Sequence, residues 1–157
     1  MNDSARRIAA ATAIATSIAI PAEGLRQFAY YDPPGILTVC MGHTGSNIDP
    51  RKKYSLSECS QYLTEDMQKA VAHVERCVPG LPENVLAAFS DAVFNMGPTI
   101  ACNKSASHAA RYLASHNYTN ACLELPKWNK ARVAGVLVPL PGLTKRRQTE
   151  MQLCLEG

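Results

Sequence analysis

The chain has 157 residues, a formal net charge of +3, six cysteines and 46% apolar residues. That length makes one domain, or a body with a small attached lobe, and suffices for a real core. The modest charge, without any low-complexity tract or internal repeat, argues against nucleic acid as a partner and against a repeat scaffold. Charge is unevenly spread, however. From Lys104 onward eight Lys or Arg stand against three acids, Glu124, Glu150 and Glu156. A basic second half suits a polyanionic surface such as a cell wall, although a plainly solvated face shows the same bias.

Arg6 and Arg7 precede the uncharged run Ile8–Ala22, and no further Lys or Arg follows until Arg26. This asymmetry is that of an export signal with its N-terminus inside. The run holds seven Ala and four Ile among 15 residues, mixed with Thr12, Thr16, Ser17 and Pro21. As a helix it would span about 22 Å, short of a hydrocarbon core of roughly 30 Å. A permanent anchor is therefore disfavoured. Two readings remain: a leader cleaved after Ala22, or a marginal anchor that later leaves the bilayer. If it leaves, Ile14 and Ile18, opposite Thr12 and Thr16, form the stripe expected to pack on the body.

Tyr30-Tyr31, then Asp32-Pro33-Pro34-Gly35, then Ile36 to Val39 reads as a β-hairpin. Ser55 with Glu58 forms a capping box. The helix it opens has Cys59, Leu63, Met67, Ala70, Val71 and Val74 on one face and breaks at Pro79-Gly80. A second helix runs from about Glu83 to Asn95, with Val85, Leu86, Phe89, Val93 and Met96 inward and Gly97 beyond its end. Shorter helices are expected near 105–115 and 120–125. A Pro-rich loop holding Pro139 and Pro141 follows, then a last helix near 143–155. The sum is an α+β arrangement: a mostly helical body, a small N-terminal β-hairpin lobe, and a cleft between them for a polymer.

Cys40, Cys59, Cys77, Cys102, Cys122 and Cys154 lack Cys-x2-Cys or Cys-x4-Cys spacing, and His43, His73, His108 and His116 sit at unrelated offsets. Disulfides in an oxidising compartment are therefore expected rather than zinc, and no cofactor or metal is implied.

The segment Glu23-Gly-Leu-Arg-Gln-Phe-Ala-Tyr-Tyr-Asp32 continues through Thr38 to Gly42-His43-Thr-Gly45. Glu, eight residues, Asp, five residues, Thr, then Gly-His resembles the catalytic signature of the phage lysozymes, glycoside hydrolase family 24. Phe94-Asn95-Met96-Gly97, Ser105, Trp128 and Gly142-Leu143-Thr144-Lys145-Arg146-Arg147-x-x-Glu150 are similar to further family motifs. The resemblance implies a lysozyme-like fold and a muramidase. It would cut the β-1,4 bond between N-acetylmuramic acid and N-acetylglucosamine in peptidoglycan, during lysis of the host cell. Glu23 would be the general acid, with Asp32 and Thr38 positioning water and the anomeric carbon inverting. Tyr30, His43, Met96, Ser105, Arg146 and Arg147 would support the site or the substrate.

Physical chemistry supports these roles. Glycoside hydrolysis needs a proton for the leaving oxygen and an anion or activated water across the ring. Glu23, where an apolar helix meets a hairpin, is open to desolvation, which favours the neutral form an acid requires. Asp32 lies in a polar turn where it stays ionised. One of Arg146 and Arg147 is expected to pair with Glu23 or Glu150, with the choice open. Taken singly, each residue has an ordinary reading: Asp32 as turn former, Thr38 as strand residue, His43 as a structural histidine orienting the hairpin, Trp128 as core.

The likeness is closest to the lambdoid branch, in which an N-terminal segment exports, anchors and then releases the enzyme. It implies the bridges Cys40–Cys59 and Cys122–Cys154. Cys77–Cys102 joins the remaining two, at adjacent helix ends. Residues 1–22 would then be the signal-anchor-release segment and residues 23–157 the catalytic domain. The protein would sit in the inner membrane, N-terminus inside and held transiently through residues 8–22, then act as a monomer in the periplasm. A central pair of Ala→Leu changes, at Ala13 and Ala15, would strengthen insertion. Three other functions compete: a lytic transglycosylase, a non-catalytic cell-wall-binding module, and a tethered structural protein with a degenerate lysozyme fold.

Overall fold

The computed structural model describes residues 1–33 and 35–156; Pro34 of the expected hairpin turn and Gly157 lie outside them. The chain opens with helix α1, Asp3–Glu23. Asn2 caps it by accepting the Ala5 N–H at 2.8 Å. Thr12 and Thr16 return their hydroxyl protons to the carbonyls of Ile8 and Thr12, so these polar side chains are satisfied within the helix. The buried stripe is Ala11, Ala15 and Ala19, one residue per turn. This corrects the expected Ile stripe: Ile14 only flanks the core, and Ile18 lines a groove beside the last helix. Methyl side chains let two helix backbones approach closely, and α1 lies chiefly on α3, Glu83–Met96, and on α2, Leu56–Cys77. Arg7 fastens the far end of α1, donating to both carboxylate oxygens of Glu75 and to the Leu81 carbonyl. Among the described residues no helix is long and apolar enough to cross a membrane.

Strands β1 (Arg26–Tyr31), β2 (Leu37–Cys40) and β3 (His43–Thr44) make an antiparallel sheet in that order. Its register sets Tyr30 opposite Thr38 and Val39 opposite His43. Val39, Cys40, Ile48, Tyr54 and Cys59 form a small core of their own beneath it. The Cys40–Cys59 disulfide ties that lobe to the first turn of α2. Ser55 and Glu58 close the capping box at the start of α2.

Helix α3 is the axis of the larger lobe. Every residue from Val85 to Val93 is buried, so it has no polar face at all. The sequence marks only one apolar face, because Ala87, Ala88 and Ala92 read as neutral. In the fold all three are buried in the core around which α1, α2 and the last helix pack on α3. Around the axis stand α4 (Thr99–Cys102), α5 (His108–Ala114), α6 (Tyr118–Glu124) and α7 (Pro141–Leu155). Disulfides join Cys77 to Cys102 and Cys122 to Cys154, tying α2 to α4 and α6 to α7.

The region expected as a Pro-rich loop is instead a second hairpin, β4 (Lys130–Val133) and β5 (Val136–Pro139). Ala134 and Gly135, both at positive φ, make its two-residue turn. Pro139 sits at the strand end, where its missing N–H costs nothing. Helix α7 accordingly begins at Pro141, with proline in its first turn. The helix expected near 105–115 starts later, at His108, because Ser107 is its cap.

The Ala stripe leads to a stability prediction. Ala15→Leu places a large side chain where α1 meets α3 and should cost about 1–3 kcal/mol by overpacking. Ala13 is exposed, so Ala13→Leu should leave the thermal midpoint nearly unchanged. Equal melting curves for the two variants would mean that α1 is not seated as described.

Candidate active site

Glu23 is the last residue of α1, and Gly24 at φ 68° turns the chain sharply into β1. A guanidinium meets it from α7: Arg146 Nη1 donates to Glu23 Oε1. The other edge of the same guanidinium forks onto Asp91 of α3, Nε to Oδ2 at 2.9 Å and Nη2 to Oδ1 at 2.7 Å. Asp91 is fully buried and the Arg146 side chain 4% exposed, against 20% for Glu23. Burial would lower the pKa of Arg146, but the bonds and charge of Asp91, with Glu23 behind them, carry it above the ordinary arginine value.

Arg147 points elsewhere, to Glu150, with both side chains wholly buried. Burial lowers the pKa of Arg147 and raises that of Glu150, whose contact with Asp91 adds to the rise. The open choice between the two arginines therefore resolves by helix rotation: Arg146 takes Glu23 and Asp91, and Arg147 takes Glu150.

The second oxygen of Glu23 abuts the β2–β3 turn. A Cβ on Gly42, which has φ +76°, would stand 3.0 Å from Glu23 Oε2. Next to it His43 is pinned three ways: Nδ1 to Asp66 of α2 at 2.7 Å, Nε2 near Asn47 at 3.4 Å, and its ring stacked on Tyr62 at 3.9 Å. Asp66 thus couples the turn facing Glu23 to α2.

Asp32 and Thr38 meet through Ile36. Asp32 Oδ1 accepts the Ile36 N–H at 2.7 Å, and the Thr38 hydroxyl donates to the Ile36 carbonyl at 2.9 Å. With its proton spent there, the buried Thr38 oxygen keeps lone pairs for a water. Tyr30, opposite Thr38, lies under the Arg26 guanidinium at 4.3 Å.

A groove of about 250 Å³ opens between the lobes, lined by Gly42, Thr44, Asp66, Lys69, His73 and Phe94. At His73 it meets a second depression of about 450 Å³ that reaches Asn103, Lys104 and Ser105. Ser105 is therefore far along the groove from Gly42, while Met96 packs on the core from the end of α3. Trp128 is partly buried against the same core. Asp91 and Asp66 are site-supporting residues that sequence reasoning missed. Only Asp91 left a signal, as an acid inside an apolar helical run. Gly42 allows a test of the Glu23 contact. Gly42→Ala and Gly80→Ala share the backbone penalty of about 1–2 kcal/mol, but only Gly42 has a neighbour within 4 Å. Gly42→Ala should therefore lower the melting midpoint further than Gly80→Ala does. Equal losses would deny the contact.

The phage lysozyme family model matches residues 21–150. A SAR-endolysin of Bacteriophage PS119 is 33% identical over 136 residues, 86% of this chain and 77% of that one. Among solved structures, the muramidase domain of SpmX from Asticaccaulis excentricus superposes with a TM-score of 0.78. It is 25% identical, covering 91% of this chain and 95% of that one. The active form of P1 phage endolysin Lyz gives 0.70 at 26% identity, over 90% and 83%. Its secreted inactive form gives 0.52 at 24%, over 71% and 75%. With the family model spanning both lobes and every element of the Glu23–Arg146–Asp91 contact, the chain belongs to the phage lysozyme family.

Proposed function

We propose that this protein is a muramidase that hydrolyses the β-1,4 bond of peptidoglycan during phage-mediated lysis of a bacterial cell. One observation carries the reading: Glu23 is held between Arg146 and Gly42, and Gly42 lines the interlobe groove. Arg146 occupies Oε1, which leaves Oε2 to carry a proton to the glycosidic oxygen. Asp32 and Thr38 hold the attacking water on the opposite face of the sugar, so the anomeric configuration inverts. Phe94 lines the groove wall and Ser105 its far end, where further sugars would lie.

In this reading α1 leads two lives. Before release, residues 8–22 lie in the inner membrane with Arg6 and Arg7 on the inner side, and Glu23 is at the bilayer surface. There it cannot reach Arg146, and the enzyme is silent. After release the same residues are α1, docked through Ala11, Ala15 and Ala19. The SAR-endolysin relatives support this, as does the better superposition on the active than on the inactive P1 enzyme. The working form is a periplasmic monomer.

Two outcomes are expected. Glu23→Gln should abolish clearing of outer-membrane-permeabilised Gram-negative cells, with a nearly unchanged thermal melt. Wild-type turnover in that variant would refute the assignment, and anhydro sugar ends among wild-type products would mark a transglycosylase instead. The membrane test needs a corrected pair of sites, because Ala15 is buried against α3. Ala9→Leu with Ala13→Leu, both exposed, should delay lysis in vivo while leaving activity of the purified enzyme intact. A mature protein starting at Glu23 by mass spectrometry would make the segment an ordinary leader.

A further inference from the structure

We infer that Asp91 is a positioning residue for the general acid, acting on Glu23 through the shared guanidinium of Arg146. This rests on Glu23 being the proton donor. Asp91 belongs to α3, the helix buried on all sides, so it is the least movable part of the network. It takes two of the five Arg146 donors, and the guanidinium plane that it fixes then aims Nη1 at Glu23. Placement is one consequence. Charge is the other: a cation facing Glu23 alone would strongly favour the carboxylate and disarm the acid. Asp91 shares that positive charge, so the cation does not act on Glu23 alone.

The charged neighbours are few. From α7 come Arg146, Arg147 and Glu150, and from α1 Glu23 itself. The α2 face toward the core is apolar, and its groove-side charges are Asp66, already bound to His43, with Lys69 and His73. Glu150 has an orphaned buried oxygen, Oε2. A proton there, donated to Asp91, satisfies the orphan and fits the upward push that burial gives this carboxyl. Asp91 then remains committed to Arg146 through both of its oxygens. Arg147 bonds Glu150 and, among the described residues, makes no hydrogen bond to Asp91.

The test is the pH dependence of kcat/KM for the full purified chain, beside that of Asp91→Asn. The alkaline limb of the variant should lie lower by about one pH unit, because Glu23 then faces the whole arginine charge. Turnover should fall about tenfold at the alkaline end, with KM little changed. Because Asp91→Asn leaves a buried cation half-paired and is at risk of not folding, Asp91→Asn with Arg146→Gln is made alongside. That neutral pair should restore the limb to the wild-type position or above it. Superimposable profiles, an even loss at all pH values in Asp91→Asn, or a limb in the double variant as low as that of Asp91→Asn would overturn the inference while Glu23→Gln remains inactive. A fully active Glu23→Gln would instead remove the general-acid reading, and this inference with it.

Discussion

One buried guanidinium organises the active half of this molecule. Arg146 draws on three helices at once: its own α7, the axial α3 through Asp91, and the end of α1 through Glu23. A buried arginine is costly unless nearly all its donors are engaged, and removing one partner leaves an uncompensated charge. Asp91, fully buried, supplies most of that compensation with two bonds, and Glu23, 20% exposed, supplies the rest where solvent shares the cost. Glu23 completes the arrangement from the last residue of α1, so the contact forms only where α1 is seated on the body.

The two lobes divide the work in a matching way. The larger lobe supplies the rigid frame and the acid's holder, and the smaller one supplies Asp32, Thr38 and the Gly42 turn. The Cys40–Cys59 bridge and the His43–Asp66 pair both anchor the small lobe to α2, close to the groove they border. A three-stranded sheet with five buried core residues has little cohesion of its own. Its covalent and polar ties to α2 hold the Gly42 turn against Glu23.

Local features are what the sequence makes legible. The Ser55–Glu58 box and the Pro79-Gly80 break each depend on a few neighbouring residues, and each reads correctly without the fold. The Glu–Asp–Thr spacing is legible in the same local way, as a family signature. What escapes is decided by distance or rotation. Glu23 and Arg146 are 123 residues apart. Arg147 differs from Arg146 by only one position, about 100° around a helix, and no local rule says which of the two buried side chains faces Glu23. Asp91 is hidden because an acid in an apolar run reads as an exception until its partner is known. The β4–β5 hairpin is lost behind two prolines that normally punctuate loops, since strand-end tolerance depends on which edge is free. For α1, hydrophobicity points to isoleucine, whereas close packing of two backbones selects alanine.

The junction between α1 and the sheet carries a further kinetic consequence. Only Gly24 and Leu25 separate the helix from β1, so α1 never diffuses away from the body on which it docks. Its effective concentration at the α3 surface is set by that two-residue tether and not by how many copies the cell has made. In the release proposed above, docking of α1 would therefore be first order, each molecule arming itself without a partner or a threshold assembly. Inserting flexible residues beside Gly24 would dilute the helix at its own binding face, and the acid would be lost from the site as a simple function of linker length.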